Sequence, residues 1–205
     1  MGAHVFTSET ASWMIKLSYI MLSDDHGVSA EELAETLPSL EAMIPMVNAG
    51  LAQSYMNLVN EDADLIVLAG KACEKLGLYE QALPYAEAAT CTDLTKGGCT
   101  VPATFCLGFR TKGRCLAALG KMAEAEAAFE SSLASVVGTG LFLLEVLALA
   151  DLKVFVLDKD GRAAEGSSRL KVAIHTLMGK SAAEDQLAAL QVALGSGVSV
   201  GEVLA

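Results

Sequence analysis

The chain has 205 residues, of which 53% are hydrophobic, 19% charged and 5% aromatic, and it carries a formal net charge of −11 at neutral pH. The length suits one domain with a real core. The acidic balance repels phosphate backbones and anionic membranes, so general nucleic-acid binding is excluded; it suits a basic partner and, more simply, keeps the protein soluble.

Ala and Leu dominate the apolar fraction, and both are strong helix formers. Four prolines are few. The composition therefore predicts an all-α fold. In chain order, Thr7 or Ser8 caps a first helix to Ser23, with Trp13, Leu17, Ile20 and Met21 as its apolar stripe. Asp24 to Gly27 breaks it. Ser29 and Glu32 form a capping box that starts a short helix to Leu37. Pro38 opens a longer helix through Leu58, and Pro45 inside it either kinks it or places its true start nearby. Helices follow over Ala63–Leu76 and Tyr79–Thr90, then a loop from Cys91 to Thr100. Val101–Leu119 and Lys121–Ser135 form the next pair, and Leu141–Leu157 with Arg162–Met178 another. Ser181 and Glu184 start a last helix to Leu194.

The N-terminal apolar stretch Trp13–Leu22 is interrupted by Lys16 and reads as no secretory signal. Leu141–Leu157 carries Glu145, Asp151 and Lys153, too much charge for a bilayer span. A cytoplasmic or organelle-soluble protein without membrane insertion is the expectation. Five cysteines form no C-x-x-C pair, and the three histidines are far apart, so no metal or cofactor site is expected. Cys73 and Cys115 read as core thiols, while Cys91, Cys99 and Cys106 surround a loop where a disulfide is the minority reading. His175, on an apolar helix, reads as a structural histidine.

Self-similarity is the most informative signal. GKACEKLGLYEQALPYAEAA (70–89) repeats as GRCLAALGKMAEAEAAFESS (113–132). Gly70 falls on Gly113, Leu76-Gly77 on Leu119-Gly120 and Ala82 on Ala125, each 43 residues on (Gly77 to Gly120). A third, degenerate unit places Gly161 on Gly120, 41 residues on, with Leu157 and Leu170 at pattern positions and Val154 and Gly166 at small-residue positions. Phe109, Gly113, Leu116, Ala125 and Phe129 in one unit, and Ile66, Ala69, Gly70, Cys73 and Ala82 in the other, resemble the tetratricopeptide repeat. Lys112 and Ala86 depart from that pattern, and the spacing exceeds the family's period of about 34 residues.

The resemblance implies one domain over 1–205: a right-handed α-solenoid of antiparallel helix pairs with about nine to eleven helices. Residues 1–60 form divergent N-terminal helices, 63–135 the two clearest repeats, and 141–194 a degenerate repeat with a C-terminal capping helix. In the family the inner surface comes from the first helix of each pair. That places Asp64, Val67 and Lys71, then Leu107, Arg110 and Arg114, then Asp151, Phe155 and Asp158 on it. Lys71, Arg110, Arg114 and Phe155 are the expected partner-binding residues, because guanidinium and ammonium groups in an acidic chain can hold acidic side chains or a terminal carboxylate. The competing expectation is a solvated face with local pairs to Asp64 and Glu74. No catalytic set is recognisable: Lys96-Gly97-Gly98 lacks the context of a phosphate loop. The sequence thus points to a non-enzymatic scaffold, adaptor or structural subunit binding a protein or peptide, with a second copy of the chain as a further candidate partner. The alternative is an all-helical small-molecule or peptide sensor with an apolar groove near Phe155 and the Met-rich N-terminal helices.

Overall fold

Helix boundaries in this chain are set by local chemistry that recurs along it. A computed structural model describes residues 8–23, 27–44, 63–92 and 101–180, and among them every regular element is helical. Helix α1 (Ser8–Leu22) buries Leu17 and Ile20 completely. Ser29 caps α2 (Ala30–Thr36), its hydroxyl accepting from the Glu32 amide at 3.0 Å. The Glu32 carboxylate meets Lys16 of α1 at 3.5 Å, so this is one half of the expected box with an inter-helix ion pair added. Residues 40–44 are helical, with Ser39 accepting from the Ala42 amide. The remainder of that third expected helix, with Pro45, lies outside the described residues, as does the expected helix after Ser181.

Three helix–turn–helix units follow. The first is α3 (Ala63–Lys75) and α4 (Tyr79–Ala89), and the second is α5 (Pro102–Ala118) and α6 (Met122–Val136). The third is α7 (Phe142–Leu152), running on into a π-helical segment (Lys153–Leu157), and α8 (Ala163–Lys180). Their internal turns are alike. Gly77, Gly120 and Gly161 take φ of 76°, 77° and 74°, the left-handed region that glycine enters without a Cβ penalty. The next amide in each case reaches back to close the helix end: Leu78 to the Cys73 carbonyl at 2.8 Å, Lys121 to Leu116 at 2.9 Å and Arg162 to Leu157 at 2.7 Å. The third unit, degenerate in sequence, makes the same turn as the other two.

Each pair is drawn together at a glycine. A Cβ on Gly70 would lie 3.3 Å from Tyr85 Cβ, and one on Gly113 only 2.6 Å from the Phe129 ring. In the third unit the small residue has moved to the second helix. Gly166, buried at the place of Ala82 and Ala125, would bring a Cβ within 2.8 Å of Lys153. Consecutive helices from α3 to α8 pack on one another. The first helices also meet directly, α3 with α5 and α5 with α7, and α1 lies on α3.

The core forms two joined clusters. Leu17, Ile20, Leu33, Ile66 and Cys73 belong to one, Leu116, Phe129, Leu152, Leu170 and Ile174 to the other, and Leu83 packs against both. Cys73 and Cys115 are buried free thiols, as expected. Cys106 does not border a loop. It is a buried free thiol inside α5, 3.1 Å from the Ser132 hydroxyl of α6, because its face of the helix packs on α6. Cys99 lies outside the described residues. His175, read as a structural histidine, is exposed to solvent on α8. Among the described residues no helix is long and apolar enough to cross a membrane.

Candidate functional site

The units repeat in charge as well as in packing. Val67, Arg110 and Asp151 occupy equivalent positions on α3, α5 and α7, spaced 43 and 41 residues apart (Val67 to Arg110, Arg110 to Asp151). Lys71, Arg114 and Phe155 are equivalent in the same way, one turn further along each first helix. The packing of α3 on α5 and α5 on α7 aligns these positions into one strip.

Asp151 is the centre of that strip. Its Oδ2 accepts from Arg110 Nε at 2.6 Å and its Oδ1 from Arg114 Nη2 at 2.7 Å, so one carboxylate bridges two guanidinium groups. Both distances belong to strong charge-assisted bonds. Arg114 also reaches Glu74 Oε1 through Nη1, at a looser 3.4 Å. Its guanidinium lies over the Phe155 ring, 5.6 Å from the centroid, and Lys159 Nζ lies 5.9 Å from the same ring. Phe155 in turn stacks on Phe129 at 6.2 Å, tying the strip to the core. Phe155 sits in the π-helical segment, a kind of insertion that often marks functional positions.

Burial works against the Arg114 charge, but Asp151 and Glu74 overcome it and hold its pKa above the usual guanidinium value. Burial raises the Glu74 pKa. Asp151 adds to the rise, and Arg114 only partly opposes it, since its shorter bond goes to Asp151. Lys71 has no hydrogen bond or ion pair among the described residues. Burial lowers its pKa, the neighbouring Arg110 and Arg114 lower it further, and Glu74 and Asp151 offset part of this. The Arg114 Nε is buried without a hydrogen-bond acceptor. Three cations, Lys71, Arg110 and Arg114, therefore face two carboxylates, and the strip carries one uncompensated positive charge in a chain of net −11.

All four residues expected to bind a partner meet here, although not on equal terms. Arg110 is withdrawn from solvent, its side chain 11% exposed against 28% for Arg114. Its guanidinium is already taken by Asp151, which arrives from the next unit. Asp64 was an expected local partner, and its side chain lies outside the described residues; Glu74 does make its pair. Val67 is buried, Leu107 packs on the N-terminal core cluster, and Asp158 is engaged by Lys153 at 2.7 Å. Sequence reasoning did not single out Lys159, whose place beside Phe155 depends on a turn that carries no charge pattern.

No group of three or more His, Cys, Asp or Glu side chains among the described residues could hold a metal ion. An apolar notch lined by Trp13, Leu17, Leu37, Pro38, Met43 and Leu65 has a cavity volume of only about 10 Å³. Small-molecule pockets typically run from about 300 to 1,000 Å³. Comparison with known proteins gives no match: neither a protein-family model, nor a curated protein, nor a solved structure aligns significantly with the chain.

Proposed function

We propose that this chain is a non-enzymatic adaptor or structural subunit, a right-handed solenoid of antiparallel helix pairs that resembles the tetratricopeptide-repeat architecture and holds an acidic segment of a protein partner along its first helices. One observation carries the reading: equivalent positions of three successive units converge into a single strip whose charge is opposite to that of the molecule. A stack of repeats builds an extended face in this way, because each unit adds one helix to it. The partner's carboxylates would supply what Lys71 lacks. The exposed Ile15 and Leu22 of α1, 71% and 87% accessible, are in keeping with a chain that sits in an assembly.

Lys71 is the residue to test, because reversing Arg110 or Arg114 would bury new carboxylates against Asp151 and unfold the strip. Lys71→Glu leaves the core untouched and turns the strip net negative. Binding of a fluorescein-labelled hexa-aspartate peptide, read by anisotropy at low salt, should weaken at least about tenfold, in line with like-charge juxtaposition costing over ~1.4 kcal/mol. Equal binding by both proteins places the partner elsewhere.

A further inference from the structure

Within the strip the two carboxylates are not equivalent, and the difference points to how an incoming one binds. Asp151 is buried, 6% exposed, and makes two bonds of 2.6 and 2.7 Å, so nothing from outside replaces it. Glu74 makes one bond, the 3.4 Å contact to Arg114 Nη1, from a side chain that is 17% exposed. It lies on α3 one turn beyond Lys71. Lys71 and Arg114 flank it, and Asp151 repels it from α7. Cys115 is a further titratable neighbour on α5, its thiol pushed up to about 12 by burial and by Glu74. The looser, more accessible carboxylate thus lies near Lys71, which has no hydrogen bond or ion pair among the described residues.

We propose that Glu74 is an internal stand-in for the partner's carboxylate: it holds the Nη1 of Arg114 by one 3.4 Å contact, and an incoming carboxylate that bridges Lys71 and Arg114 displaces it. This rests on the acidic-partner reading above and specifies the subsite within it. The ligand is one carboxylate of an acidic peptide, and Glu74 competes with it only while ionised. Since burial and Asp151 together favour the protonated form of Glu74, the competitor is neutralised at a higher pH than surface carboxylates are. Binding should therefore strengthen as pH falls, before the aspartates of a peptide ligand protonate.

The test compares wild type with Glu74→Gln, which keeps the shape and removes the charge, again with hexa-aspartate peptide at fixed ionic strength. At pH 8 the variant should bind about fivefold more tightly, the equivalent of one partly screened ion pair. Wild type should approach the variant as pH falls through the raised Glu74 value, while the variant's own profile stays flat until the peptide's aspartates titrate near about 3.9. A ¹³C-detected titration of the Glu74 carboxyl, with and without peptide, reports the same event without mutation: the peptide should return its pKa toward that of a free glutamate side chain. If wild type binds and Glu74→Gln binds no better at pH 8, or both share one pH profile, the stand-in is wrong and the acidic-partner reading stands. If neither protein binds the peptide at any pH, that reading fails and this inference falls with it.

Discussion

Among the described residues Asp151 is a buried carboxylate that ties two units together. It is 6% exposed and accepts from two arginines of the preceding unit. A buried charge stripped of its partner costs far more than a surface pair contributes. Asp151→Asn leaves Arg110 and Arg114 facing each other across a neutral amide, and chemical denaturation should show a loss of about 3–5 kcal/mol. Glu74 behaves in the opposite sense. Its folded pKa is raised, so its contribution to stability is full below the ordinary glutamate value of about 4.3 and is lost as pH rises through the folded value. Glu74→Gln should therefore match wild type near pH 4 and gain on it toward pH 7. The meeting of Lys71, Arg110, Arg114 and Phe155 was legible because the repeat spacing placed each on the same side of a first helix. The burial of Arg110 was not. It depends on how closely α7 lies across α5, and no pattern within α5 carries that distance.

At the scale of elements, the turns were the most readable feature. A glycine just past the end of a helix predicts a left-handed closure, and Gly77, Gly120 and Gly161 all make it. Close approach was legible too, at Gly70 and Gly113, since small residues recur where paired helices touch. The Gly113 contact is the tighter one. A methyl group there would sit 2.6 to 2.8 Å from three Phe129 ring atoms, and that ring is fully buried and cannot retreat. Gly113→Ala should cost about 1–3 kcal/mol in thermal or chemical unfolding, the usual range for overpacking. Gly70→Ala, with 3.3 Å to Tyr85 Cβ, should cost less. The π-helical segment over Lys153–Leu157 was not legible, because the four apolar residues Val154 to Leu157 fit either winding over so short a stretch. It puts Phe155 under Arg114 while α7 still delivers Asp151 to Arg110. Cys106 was read as flanking the loop although the expected helix over Val101–Leu119 already contained it; what makes it a core thiol is the face it presents to Ser132 of α6, and no pattern within α5 carries that contact.

At the scale of the molecule, the helical class follows from composition and the unit boundaries from the repeat. What the repeat alone does not convey is the sign of the surface it builds. The chain is acidic overall, and three of its fourteen basic residues are concentrated on one strip with two carboxylates. That local inversion of charge, assembled from three units and not from neighbours in sequence, is the basis for reading the first helices as a docking face. The most direct test is a titration of ¹⁵N-labelled protein with hexa-aspartate peptide, followed by backbone amide shifts. The account predicts saturable shifts centred on Lys71, Glu74, Arg114 and Phe155, with α8 unchanged. Shifts centred on α1 or α8, or none at any peptide concentration, would contradict it.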